Sequence, residues 1–132
     1  MRQQKVINIY NQTKTSTTSP VEWTIRLLQE CMKTIEKAKE AMMADDIGDI
    51  NSQLKKAQQI MLEIAAMVNL EEKEGENLFI LYDFIHRKII EANVEKSFAL
   101  LDEIEEYVCH LYSMWKDGYR HYRNMYFKKN KI

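Results

Sequence analysis

At 132 residues the chain is long enough to bury one hydrophobic core and too short to argue for two. With 45% apolar and 30% charged residues it reads as a soluble globular protein, and only three Gly and one Pro leave too little punctuation for a many-turned β fold, so helices are favoured. The formal charge of −1 hides an asymmetry: residues 116–132 carry Lys116, Arg120, Arg123, Lys128, Lys129 and Lys131 against Asp117, a net +5, and the rest of the chain stands at −6 with 13 basic and 19 acidic residues. An acidic body with a basic tail does not describe a general nucleic-acid binder.

Residues 1–18 form a short N-terminal segment in two parts. Val6, Ile7, Ile9 and Tyr10 make a small apolar cluster, and the polar run TKTSTTS, ending at Ser19, has no helical period and reads as a tether. Such a cluster suits reversible docking on an apolar groove; it equally suits a frayed terminus. The first helix is predicted from Pro20 to about Ala44. Ser19 is placed to cap it, Pro20 takes the first helical position, and Glu22 three residues after the cap completes a capping box. Two apolar stripes follow, Val21, Ile25, Leu28, Met32, Ile35 and Trp23, Leu27, Cys31, Ala38, Met42. Together they are wider than a two-sided helix needs, which makes the Val6–Tyr10 cluster the nearest candidate to lie over them.

Asp45, Asp46 and Gly48 mark a turn, with Asp46 or Asp49 capping a second helix whose apolar positions are Ile50, Leu54, Ala57, Met61, Ile64 and Val68. Ile60 and Met67 form a ridge beside that stripe. The charged stretch EEKEGE at 71–76 reads as a solvated link. The third helix is predicted over Asn77–Asn93, with Leu78, Tyr82, Ile85, Ile89 and Ala92 on one face. Phe79, Ile80, Phe84 and Ile90 fall outside that stripe. Apolar groups beyond the core face call for a second layer of protein or a partner. A tight junction leads to a fourth helix from about Glu95, where Leu101, Ile104, Val108, Leu111 and Trp115 keep the four-three stepping.

The predicted fold is all-α: an antiparallel up-down four-helix bundle over 19–116 with an N-terminal capping segment over 1–18. Residues 117–132 make a basic aromatic tail in which Tyr119, Tyr122 and Tyr126 step by three and four, so the tail is read as extending helix four with a frayed basic end. Alternating aromatics and bases can also bind single-stranded nucleic acid, but helix extension is the favoured reading.

Motifs for catalysis are sparse. A di-iron bundle would need two Glu-x-x-His pairs and two further Glu. The chain offers Asp83-x-x-His86 once, and Glu106 lies four residues from His110 rather than three. No phosphate loop, HExxH or zinc spacing is present, so no catalytic residue, cofactor or metal is expected. Cys31 and Cys109 sit inside helical patterns and read as buried free thiols of a reducing compartment. No apolar run of about 18 residues and no leader appears, so neither a membrane span nor a secretory signal is expected. One alternative is a phosphotransfer bundle using His86, beside Arg87 and Lys88.

At helix three the sequence becomes specific. Asn77-Leu78, Leu81-Tyr82-Asp83-Phe84, Arg87-Lys88 and Glu91-Ala92-Asn93 resemble the NL, LYDY, RR and EAN signature of FliS-type flagellar export chaperones at the same offsets. Thr18-Ser19-Pro20 is similar to that family's SPEEL opening, Lys56-Ala57-Gln58 with Ile60 to its KAQ segment, and Trp115-Lys116 to its closing tryptophan. The resemblance spans about residues 5–116. It departs at Arg26-Leu27-Leu28-Gln29-Glu30-Cys31, where the family carries a stretch like MLYDGA, at Gly75-Glu76, where it has Gly-Gly-Glu, and in the tail.

The resemblance implies a cytoplasmic bundle that binds the C-terminal segment of flagellin, keeps it from polymerising early and delivers it to the flagellar export apparatus. It implies neither a nucleic-acid partner nor membrane insertion, and leaves the oligomeric state open. An amphipathic segment laid in a groove buries its i, i+3, i+4 and i+7 anchors. Ordering it would offset about 2–5 kcal/mol of the gross gain. The surplus apolar residues Ile60, Met67, Phe79, Ile80 and Phe84 are the expected flagellin-binding groove. Ile7 and Tyr10 match family positions implicated in capping that surface and in contact with the export gate.

Overall fold

A computed structural model of the protein describes residues 19–130, with side chains as far as Arg120. Four helices follow one another: α1 (Pro20–Met43), α2 (Ile47–Ala65), α3 (Lys73–Glu95) and α4 (Phe98–Asn130). Among the described residues there is no strand. Helix α1 packs on α2 and α4, and α3 packs on the same two, while among the described residues the backbones of the diagonal pairs stay more than 8 Å apart. Short connections make successive helices antiparallel, so the architecture is the up-down four-helix bundle that the stripes predict.

The interior is built from those stripes. Leu28 and Ile35 from α1, Leu54, Met61 and Ile64 from α2, Tyr82, Ile85 and Ile89 from α3, and Leu101, Ile104 and Val108 from α4 are all fully buried. Each such side chain contributes roughly 1.5–3 kcal/mol by leaving water. Two threonines are buried with them, and each hydroxyl is satisfied locally: Thr24 donates to the Pro20 carbonyl at 2.9 Å and Thr34 to the Glu30 carbonyl at 2.8 Å.

Turn chemistry sets the lengths. The Glu22 backbone N–H donates to Ser19 Oγ at 3.1 Å, which is the predicted cap of α1. The Glu22 carboxylate does not complete the box; it accepts from Tyr119 Oη of α4 and so ties the first helix to the last. At the other end of α1, Asp45 adopts φ 54°, its N–H reaches the Met42 carbonyl and the Asp46 N–H reaches that of Ala41. This is the paired bonding of a Schellman stop. Asp46 Oδ1 then accepts from the Asp49 N–H at 3.1 Å and starts α2.

Helix α3 differs from expectation at both ends. It begins at Lys73, inside the charged stretch read as a link, and runs on to Glu95. Gly75 is the reason. It is buried against the chain before α3, and a Cβ there would sit 1.9 Å from the Asn69 carbonyl oxygen. The stretch is therefore a packed helix start as well as a solvated one, with Glu74 and Glu76 placed favourably in the first turn. At the C-terminus Lys96 takes φ 51°, a left-handed stop that a residue other than glycine adopts at some cost. Its ammonium offsets that cost by donating to the Asn93 carbonyl and side chain at 2.7 Å and to Asn51 of α2 at 2.5 Å. Ser97 Oγ then accepts from the Leu100 N–H at 3.1 Å to start α4.

Candidate functional site

The five residues expected to line a groove do not share one surface. Ile60 is 6% exposed and belongs to the core. It lies one turn beyond Lys56, whose ammonium bridges to Glu30 of α1 at 2.9 Å, which places it on the α1 side of α2. Met67 lies two residues beyond the end of α2 and is half-buried, its sulfur 3.9 Å from the Thr24 hydroxyl oxygen of α1. Their ridge is thus spent on the α1–α2 seam. In sequence it was indistinguishable from a free one, because an α2 stripe that serves two neighbours is as wide as one that serves a neighbour and a partner.

On α3 the three surplus residues fan out. Ile80 is 58% exposed and stands on the outer crest. Phe84 is half-buried against α4, its ring meeting Tyr107 edge-on at 5.6 Å, with the Lys88 ammonium 5.7 Å from its centroid. Phe79 is half-buried on the opposite flank, about 140° around the axis from Phe84 at 3.6 residues per turn. Ile80 and its flanking aromatics therefore make a convex ridge along the outside of α3.

The concave feature lies at the end of the bundle where α1 begins. An apolar cleft of about 330 Å³ opens there, lined by Val21, Leu78, Met114, Trp115, Gly118 and Tyr119. A Cβ on Gly118 would meet nothing within 4 Å, so the glycine leaves space on the cleft wall. Beneath it a second pocket of about 290 Å³ includes Met67, Gly75, Leu78 and Tyr82. Trp115 stands between the two, its indole N–H donating to Tyr82 Oη at 2.9 Å. Burial pushes the Tyr82 hydroxyl up to about 12, so it stays a neutral hydrogen-bonding group. In sequence, Leu78 and Trp115 read as core alone. The step from Trp115 through Gly118 to Tyr119, a large–small–large wall on one helix flank, was the available signal for a cleft.

Ile7 and Tyr10, expected to cap an apolar surface, lie outside the described residues. The chain enters α1 at Ser19, however, and Val21 and the Glu22–Tyr119 contact put that entry at the cleft rim.

The remaining polar groups serve the scaffold. His86 is half-buried at the helix edge; Arg87 bridges to Asp83 at 3.2 Å and Lys88 to Glu91 at 3.7 Å, so both bases serve carboxylates of the same helix. Lys39 of α1 joins Asp102 at 2.5 Å and Glu105 at 3.2 Å, and those partners, Asp102 first, raise its pKa. Both cysteines are free. Cys31 is buried, and desolvation pushes its thiol up to about 12. Cys109 departs from expectation by being only half-buried, with its pKa raised by desolvation and then by Glu105. Among the described residues no three His, Cys, Asp or Glu side chains are grouped to hold a metal, and no helix is long and apolar enough to cross a membrane.

Comparison with known proteins agrees with the signature on α3. The model of the flagellar protein FliS family matches residues 2–121. The flagellar secretion chaperone FliS of Bacillus subtilis (strain 168) is 31% identical over 109 residues, covering 83% of this chain and 82% of that protein. The family match runs through the first three helices and stops at residue 121, before the last turns of α4. The chain belongs to the flagellar protein FliS family.

Proposed function

We propose that this protein is a cytoplasmic flagellar export chaperone that binds the C-terminal segment of flagellin, blocks its premature polymerisation and aids its delivery to the flagellar export apparatus. The observation that carries this reading is membership of a family whose Bacillus subtilis relative is a flagellar secretion chaperone, over nearly the whole bundle. The surface is compatible with the role. Ile80, more than half exposed, stands between Phe79 and Phe84 on α3, and an amphipathic segment needs such apolar contacts on its receptor.

In this reading the flagellin segment lies along the α3 ridge of Phe79, Ile80 and Phe84. Residues 1–18 cap that ridge until cargo arrives, and Ile7 and Tyr10 supply the cap and the later contact with the export gate. Charge contributes little at the ridge, because Asp83 and Arg87 already form an exposed pair with each other.

Two measurements test the proposal. Mixed with flagellin, the protein should form a stoichiometric complex and suppress filament growth; polymerisation at an unchanged rate would reject the role. Deleting residues 1–15 should tighten binding of a flagellin C-terminal peptide if that segment competes as a cap, and weaker binding by the shortened chain would sink the cap.

A further inference from the structure

The three most exposed large apolar side chains of the described residues, joined by Phe98, gather at the end of the bundle opposite the cleft. Met43 is 78% exposed, Ile47 63%, Val94 79% and Phe98 40%. They flank the α1–α2 and α3–α4 turns. Those turns are held together by Lys96 on Asn51 and by Lys39, which bridges to Asp102 and lies 5.2 Å from the Phe98 ring centroid. The same end carries the exposed carboxylates Asp45, Asp46, Asp49 and Glu95. Among the described residues none of these four is in an ion pair. An apolar surface rimmed by unneutralised acids fits a basic, apolar partner.

The chain carries a segment of that chemistry at its other end. Helix α4 continues to Asn130, about 16 Å past the Tyr119 contact with α1. Residues 121–132 contain Arg123, Lys128, Lys129 and Lys131 with Tyr122, Met125, Tyr126 and Phe127, and no acid. All but the first lie beyond the family match, which ends at residue 121. A helix of this length puts Asn130 about 48 Å from Phe98, so the tail of one chain cannot reach its own turn end.

We propose that residues 121–132 dock on the acid-rimmed apolar end of a second copy, around Met43, Ile47, Val94 and Phe98. The contact is head-to-tail. It leaves one tail and one receiving end free in every dimer, so assembly is open and grows with concentration. It is also salt-sensitive, because its charges sit on solvent-exposed surfaces.

Sedimentation velocity of the full chain across a concentration series tests this. At low salt the weight-average mass rises with concentration, and at high salt it falls to the monomer. A chain lacking residues 121–132 and a full-length Met43→Ser/Val94→Ser variant each stay monomeric, since both changes avoid the buried core. Mixed, they form a 1:1 heterodimer that cannot grow, because one supplies the receiving end and the other the tail. A full chain that stays monomeric throughout at low salt would overturn the proposal. So would association that persists in both variants, or association abolished by nuclease, which would assign the tail to nucleic acid.

Discussion

The two ends of the bundle expose apolar groups in opposite shapes. Where α1 begins, Val21, Leu78, Trp115 and Tyr119 surround a recess, and a hydrogen bond between Trp115 and Tyr82 holds its floor. Where the α1–α2 and α3–α4 turns lie, Met43, Ile47 and Val94 project into solvent, while Lys39 and Lys96 beside them are tied down. A recess accepts a single extended or helical segment with many contacts per residue. A convex patch needs a partner that brings its own complementary surface. The contrast explains why the tight backbone packing belongs to the first end and the lysine cross-ties to the second.

Substitutions should separate the two ends by size of effect. The largest is expected at Gly75. Its added Cβ would meet backbone rather than a movable side-chain tip, so Gly75→Ala should lower the unfolding free energy by about 3 kcal/mol, read by urea denaturation. Tyr82→Phe leaves the Trp115 indole N–H without its acceptor and should cost about 1–3 kcal/mol, with a shift in tryptophan emission. It should also change the alkaline limb. The folded state holds the Tyr82 proton more tightly than the unfolded chain does. Its contribution is therefore complete below the ordinary value of 10.0 and is lost as pH rises through about 12. Urea midpoints measured across that window should fall less steeply in the Phe variant.

Smaller effects complete the series. Gly118→Ala should stabilise the protein by up to about 1 kcal/mol, since the position is helical and the added methyl meets no neighbour. A loss of stability there would mean that the cleft wall is closer than it stands in this structure. At the convex end, Val94→Ser should change stability by no more than about 0.5 kcal/mol, because the side chain is already in water. A large loss at Val94 would erase the distinction between the ends.

Much of the fold was legible in the sequence because the period of the apolar residues reports the core directly. Ile50, Leu54, Ala57, Met61, Ile64 and Val68 were spaced for one face of a second helix, and all are buried, although α2 stops at Ala65 and Val68 packs from the link that follows. Caps were legible for the same local reason: Ser19 and Asp46 act within three residues of themselves. What the sequence hid depends on distant neighbours. Gly75 looked like part of a solvated link because its reason for being glycine is the backbone at Asn69. Glu22 looked like half of a capping box because Tyr119, 97 residues away, could not be foreseen as its partner. Ile60 and Phe84 had the same surplus status in sequence. One closes a seam with α1, and the other sits at the α3–α4 surface beside Tyr107, a difference that only packing decides.

The proposed role of this bundle is to receive the C-terminal segment of flagellin along its α3 ridge. Calorimetric titration of a flagellin C-terminal peptide into the full chain, run at several temperatures beside Ile80→Asp, tests it most directly. Saturable one-to-one binding with a negative heat-capacity change, the mark of apolar burial, is expected, with a loss of affinity of at least about tenfold in the variant. Absence of binding, or binding that Ile80→Asp leaves intact, would contradict it.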